Sequence, residues 1–492
     1  MKIVKFLTVL LLMCLLPLQY VLAEEKSKVK SFQDLCKKDL DFVRLQLQKN
    51  SAPYANKTDQ HFHNWYKNGY KYSLKLIDGI GDKDDCYYVM KYFANGFDQS
   101  HITIRGYIPL PTEMYPGIMS AKNGEGHYIF YKHPALEYLK NVSVGDRVTH
   151  INNIKIEEYY TDYLQPFYAN DDSELTLVSA SVYALIIDGN RFKPNPKTVT
   201  IIHDNQPVTI ELKYTELSGS ALVAVKKLRQ PEVNESFKVE MVSNGVWIKI
   251  PSFFPTRKES VYFTGMLSVL KKDLAKEDYI LFDMRGNRGG AIKWSVPIIR
   301  NLWGDNYIKS LGDNHDYNKH WVKKLRVSKE NFAEFQTTYG PVASKAYAAS
   351  LKKGEDFFVK KWSIYEDEEN LYTNNDSAPF KAKIYVLTDS FCRSTCWNFV
   401  KEIEQIPGVV HLGGVTAVQG IYSYAKKDRA PSEHFDVFYP TQIRVKPESK
   451  LGEALVPLHV YEGNPKDEAK VLDWVLSIIE KDLTTVTFEP GS

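Results

Sequence analysis

The chain has 492 residues, of which 43% are hydrophobic and 25% charged, and a formal net charge of +3. That length is too great for one small core and calls for roughly two to four domains. The apolar share is ordinary for a globular protein, and the near balance of charge gives no footing for nucleic acid or an anionic membrane surface as partner.

The first residues read as an export signal. Lys2 and Lys5 precede a mostly apolar run, Phe6 to Leu16, which Pro17 ends, and Val21-Leu22-Ala23 offers a cleavage point before Glu24. This pattern predicts a signal peptide over residues 1–23. The run is shorter than the ~20 residues needed to span a bilayer. The protein is therefore expected to be exported, periplasmic or secreted, with no integral membrane segment after cleavage and a net charge of +1 (3 − 2). In an oxidising compartment, Cys36, Cys86, Cys392 and Cys396 allow two disulfides in three pairings. Cys36 with Cys86 is the favoured pair. Cys392 and Cys396 lie one helical turn apart, about 6 Å between Cα atoms, so they either bridge or stand as a free thiol and a buried apolar residue. The cysteines lack metal-site spacing, and His61 and His63, two apart, read as surface residues, so no metal is expected.

Residues 24–105 read as a helical N-terminal domain. Leu74, Leu76 and Ile77, then Tyr87, Val89, Met90, Tyr92 and Phe93, give amphipathic helices joined at Gly79 and Gly81. A loop follows, in which Asp98 stands three residues before His101 and is placed to orient its imidazole. Residues 106–215 change to short strands. Within them Gly145-Asp146 leads to a strand and an Asn152-Asn153 turn, a pattern that resembles the PDZ signature. Such modules take an extended peptide as an added strand, which makes Gly145 and Asp146 candidates for substrate binding.

Residues 216–492 read as an α/β core, interrupted by a polar stretch at about 305–378. Tyr279 to Asp283 is an apolar strand of the kind buried on both faces. It empties into Met284-Arg285-Gly286-Asn287-Arg288-Gly289-Gly290, a glycine-rich turn whose N–H groups can face an oxygen. The spacing is that of neither a P-loop nor a dinucleotide fingerprint. Ile384 to Leu387 is a second apolar strand. After a break at Thr388 to Ser390, Cys396, Phe399, Val400, Ile403 and Ile406 recur at helical spacing. Ser394 falls at the turn-to-helix joint, where its hydroxyl either caps the helix or is presented as a nucleophile beside unpaired N–H groups.

Taken in order, Asp98…His101, the Gly145-Asp146 segment, Asp283-x-Arg-x-Asn-x-Gly-Gly290 and Ser394 resemble the S41 family of serine peptidases, of the C-terminal-processing and tricorn-core type. The resemblance implies an α/β core of the ClpP/crotonase kind, a polypeptide substrate, no cofactor, and an acyl-enzyme on Ser394. Bacterial members use a Ser–Lys dyad, but Gln419 stands here where the lysine would. The resemblance is thus to the Ser–His branch, with His101 as general base and Glu453 as the downstream acid. Thr395 with Gly289 or Gly290 would form the oxyanion hole. The alternative is a non-catalytic peptide- or lipid-binding protein on the same scaffold.

Overall fold

The computed structural model describes residues 30–124, 126–229, 237–242, 244–274, 276–291, 294–304, 321–362, 382–418, 420–445, 454–463 and 467–486. The leader, Gln419 and Glu453 lie outside the described residues. No described helix is long and apolar enough to cross a membrane.

Three long helices open the described chain, residues 30–50, Gln60–Asp78 and Asp85–Asn95, with a single helical turn, Ala52–Ala55, between the first two. Asp59 caps the second through the Phe62 N–H at 2.9 Å. Leu40, Val43 and Leu47 line one face of the first helix, the spacing an amphipathic helix requires. Cys36 and Cys86 are bonded and tie the first helix to the third. These helices do not close a core by themselves. Their buried cluster includes Ala430, Phe435, Val437 and Tyr439 from far along the chain. The reason is a pairing that pattern reading does not reach: strand Thr103–Gly106 lies antiparallel on strand Phe435–Val445, with Thr103 opposite Phe438.

A second sheet occupies the middle of the chain, in the order Ile118–Asn123, Gly126–Lys132, Arg147–Ile151, Thr198–His203, Gln206–Glu211. The hairpin after Arg147–Ile151 turns on Asn152 and Asn153, at φ 51° and 63°, which asparagine accepts more readily than most residues. The expectation of short strands leaves out a helical stretch between these strands, at residues 156–168 and Glu174–Ser181. Tyr160, Leu164 and Phe167, three and four apart, bury one face of it.

The third part holds a six-stranded sheet, Lys238–Val242, Gly245–Lys249, Tyr279–Asp283, Lys383–Thr388, Val410–Gly413, His459–Val460. Its first strand is antiparallel and the others run parallel. Alternate residues feed two cores. Ile280, Phe282, Ile384 and Val386 pack with helices Arg257–Leu274, Val296–Trp303 and Thr395–Ile403, while Tyr279, Leu281, Tyr385 and Leu387 meet helix Glu468–Val486. Each fully buried side chain of this size is worth about 1.5–3 kcal/mol. That burial on both faces is why these strands read as continuous apolar runs.

The described part of the interrupting stretch is a strand, Trp321–Arg326, a helical segment Lys329–Lys353 broken at Gly340-Pro341, and a strand Phe357–Trp362. The two strands pair with each other, and the first pairs with Phe435–Val445. They therefore widen the antiparallel sheet that carries Thr103–Gly106.

Candidate active site

In an open parallel sheet, ligands bind outside the carboxyl ends of the strands. Four of the loops that leave that edge follow Lys249, Asp283, Thr388 and Gly413. The loop after Asp283 is set by its own side chains. Asp283, 0% exposed, accepts from Trp247 Nε1 at 3.1 Å and from Arg285 Nη2 at 2.6 Å. Arg285 also reaches Glu468 on the last helix at 2.7 and 3.0 Å. A buried carboxylate needs such partners, and removing one would leave an uncompensated charge. Asn287 Nδ2 donates to Ile250 O at 2.8 Å, and its Oδ1 accepts the Gly289 N–H at 2.8 Å. Each polar residue of the motif thus has a structural task. The bond to Asn287 also occupies the Gly289 N–H, which narrows the expected oxyanion donors to Thr395 and Gly290.

Gly289 stands at φ 89°, and a Cβ built there would lie 2.7 Å from Ser394 Cβ and 2.6 Å from Arg393 O. Only glycine lets the two loops approach this closely. Gly289 O and the Ala291 N–H bond Phe253, and the Gly290 carbonyl accepts from Thr395 Oγ1 at 2.5 Å. The serine loop is clamped from the other side by Asp389, which accepts the Gly286 N–H at 2.9 Å and the Phe391 N–H at 3.0 Å. Desolvation pushes the Asp389 carboxyl up to about 6, although both N–H bonds and Arg285 act against it.

Ser394 itself is half-buried and precedes helix Thr395–Ile403 at φ 56°, ψ −120°. Its side chain makes no capping bond to the helix, so the capping alternative fails. A non-glycine residue in that region is strained by about 1–3 kcal/mol and persists only where the surroundings hold it. Here they do. Cys392 and Cys396 are bonded around it, both 0% exposed, the Cys396 N–H donates to Arg393 O at 3.1 Å, and the Asn398 N–H donates to Ser394 O at 3.0 Å. The Thr395 N–H, in the first turn, has no acceptor within its own helix and adds to the positive end of the helix dipole. Two arginines flank the site. Arg288 lies over the Phe391 ring at 5.3 Å, with Nε and Nη2 buried and unpartnered, and desolvation, then Arg393, push its guanidinium pKa down.

A second hydroxyl meets a histidine nearby, but not where substrate can reach. Thr388 Oγ1 is 2.7 Å from His411 Nε2, and His411 Nδ1 is 2.6 Å from Glu404. Thr388 is 1% exposed and its hydroxyl donates to Gly414 O at 2.7 Å, so this relay fastens strand ends.

His101 is half-buried in the loop before Thr103–Gly106, its Nδ1 3.3 Å from Ser100 Oγ. Desolvation, then Arg444 and Arg393, push its pKa down to about 4, while Asp171 acts in the opposite sense. Arg393 adjoins Ser394, so a charge of the serine turn acts on His101. The stretch after Gly413 links them. The Ala417 N–H donates to Cys392 O at 3.1 Å, and a Cβ on Gly420 would lie 3.8 Å from Gln99 Oε1. Asp98 does not serve as the partner of His101 that its position suggests. It stands at φ 52°, its carboxyl pKa raised by desolvation and then by Asp172. The carboxylate that raises the His101 pKa is Asp171, from the segment after residue 168, an electrostatic influence no local pattern announces. Leu455, two residues beyond Glu453, bonds Thr416 through both N–H and carbonyl. Gly145, at φ 100°, and Asp146 lie in the middle sheet, where Asp146 Oδ2 accepts the Ser143 N–H at 2.7 Å and lies 2.9 Å from His203 Nδ1.

Comparison with known proteins adds a family and a fold. Peptidase family S41 matches residues 246–427. The structure of mature CPAF complexed with lactacystin superposes with a TM-score of 0.62 at 11% identity, covering 92% of this chain and 99% of that one. Mature CPAF alone gives 0.60 at 12% identity, covering 92% and 98%. The photosystem II D1 C-terminal processing protease covers 89% of this chain and 95% of its own at 11% identity, with a TM-score of 0.36. No curated protein matches the sequence.

Proposed function

We propose that this chain, a serine peptidase of family S41 over residues 246–427, is an exported endopeptidase that cleaves polypeptides through an acyl-enzyme on Ser394. The observation that carries this reading is the Ser394 backbone, held at φ 56° with its side chain released from capping and Gly289 pressed against it. His101, neutral above its lowered pKa, takes the Ser394 proton as the hydroxyl oxygen attacks the scissile carbonyl. The oxyanion that forms is received by the N–H groups of Thr395 and Gly290, at the positive end of the helix, with Arg288 and Arg393 alongside. His101 then returns the proton to the leaving amine, and water repeats the cycle on the ester. Asp171 stabilises the imidazolium, and Glu453 remains the family-based candidate for that task.

The likeness to CPAF supports a ClpP/crotonase-type core, and the Asn152-Asn153 hairpin supports a PDZ-like module over residues 106–215 that receives the peptide near Gly145 and Asp146. Two disulfides fit an oxidising compartment. The rival, a peptide- or lipid-binding protein on this scaffold, is separated by one experiment. A fluorophosphonate probe should label the wild-type chain and leave Ser394→Ala unlabelled, and casein hydrolysis should follow the label. A wild-type chain that stays unlabelled under reaction conditions sinks the peptidase reading.

A further inference from the structure

A cavity of about 390 Å³ opens beside the His101 loop. Its wall joins His61, Trp65, Asn95, Asp98, Asp171 and Asp172. Asn95 is 4% exposed; its Nδ2 donates to Pro166 O at 3.2 Å, and its Oδ1 is buried with no hydrogen-bond partner. A buried acceptor left single is costly and marks a place where a donor belongs. The Trp65 indole N–H is spent on Phe93 O at 2.8 Å, so that side chain offers the cavity its ring. Asp98 and Asp172 each bring a carboxyl to that wall. Desolvation first, and then Asp172 and Asp171, push Asp98 up to about 6, while His61 pulls the other way. Among the described residues no three His, Cys, Asp or Glu side chains group to hold a metal ion.

Acceptors, carboxylates and a π-face with room for several heavy atoms describe a site for an organic cation. We propose that this cavity binds a guanidinium or primary ammonium group, and that the group is a basic side chain of the polypeptide substrate. The second half rests on the peptidase reading; the first does not. Asp171 both lines the cavity and acts on His101, so an occupant sits within a side chain's reach of the reaction centre. Its entry favours the ionised Asp98 carboxyl, whose proton leaves to solvent.

The test is calorimetric titration of the Ser394→Ala protein at pH 6, in two buffers of different ionisation enthalpy. The titrants are a blocked pentapeptide with one central arginine, the same peptide with glutamine, spermidine, and calcium chloride. The arginine peptide and spermidine should bind with release of up to about one proton. The glutamine peptide should bind roughly tenfold or more weakly, and Asp98→Asn with Asp172→Asn should remove the proton release and weaken the arginine peptide by a similar factor. Asp172→Asn alone, at an exposed position, with an unchanged melting curve, guards against misfolding. Equal binding of the two peptides, or undiminished binding by the double variant, overturns the proposal. Calcium binding more tightly than spermidine overturns it in favour of a metal. Spermidine binding without the arginine peptide keeps the cation site and removes the substrate assignment. Fluorophosphonate labelling of wild type, run alongside, reports on the peptidase reading separately.

Discussion

The serine and histidine arms of the site are built in opposite ways. The serine arm is local. Ser394, its disulfide, Asp389 and the Gly289 turn all come from adjacent ends of parallel strands, and each polar side chain bonds within that edge. The histidine arm is assembled at long range, because His101 is positioned by strand Thr103–Gly106, whose partner lies more than three hundred residues later. Charge is mixed in both arms, with Arg288, Arg393 and Asp389 on the serine side and Arg444, Asp98, Asp171 and Asp172 on the histidine side. On the proposed reading, a nucleophile fixed by its own loops is served by a base whose placement depends on the docking of the helical region.

The comparison is tested most severely at the base itself. His101→Ala should reduce kcat/KM for a peptide substrate by about 10² to 10⁴-fold with the melting temperature unchanged. An unimpaired variant would place the base elsewhere and dissolve the two-arm picture. The disulfides separate the arms next. Cys36 and Cys86 are 50 residues apart, and losing that bond should cost about 4 kcal/mol in the chain-entropy model; Cys392 and Cys396, 4 apart, should cost about 2 kcal/mol. Paired alanine substitutions with urea unfolding would measure both. The short bridge should nonetheless matter more to fluorophosphonate labelling, because it shapes the Ser394 turn. Both of its sulfurs are buried, so substitution is a cleaner test than reductant. Equal labelling of the two double variants would show that the bridge is not what holds the nucleophile. Gly289→Ala follows, with an expected loss of about 2 kcal/mol, since the new methyl meets Arg393 O and Ser394 Cβ at a φ of 89°. A stable, fully labelled variant would mean that the two loops can part without consequence.

The same contrast explains what the sequence disclosed. Strand Tyr279–Asp283, the strand and helix around Ser394, and the favoured Cys36–Cys86 pair were legible because each is decided by a few neighbouring residues or one spacing rule, whereas the spacing of Cys392 and Cys396 allowed a bridge without deciding it. The Asn287 bond to Gly289 was hidden in a motif recognisable by resemblance, although an asparagine two residues before a glycine turn is a local signal for it. The partner of His101 was not legible. Asp98 had the nearer number, but it stands at φ 52°, and the carboxylate that raises the His101 pKa, Asp171, comes from another part of the chain. The shared core of the N-terminal helices and strand Phe435–Val445 was unreadable for the same reason, since periodicity identifies an apolar face without naming what covers it.

The finest test of the two arms is a titration. An unperturbed imidazole loses its proton near pH 6.5, but His101 is held near 4 by desolvation and by Arg444 and Arg393, the latter from the serine arm. A general base works in its neutral form, so kcat/KM should rise through about pH 4 and be nearly flat by pH 6, instead of rising through 6.5. Asp171 opposes the arginines, so Asp171→Asn should move the acid limb to lower pH, and Arg444→Gln should move it higher. Asp98 and Asp389 titrate near 6 and would add only a shallow step there, which Asp98→Asn would reduce without moving the main limb. A profile that rises through 6.5 and ignores Asp171 would mean that the arginines of the serine arm do not reach the base, and that the two arms act as separate electrostatic units.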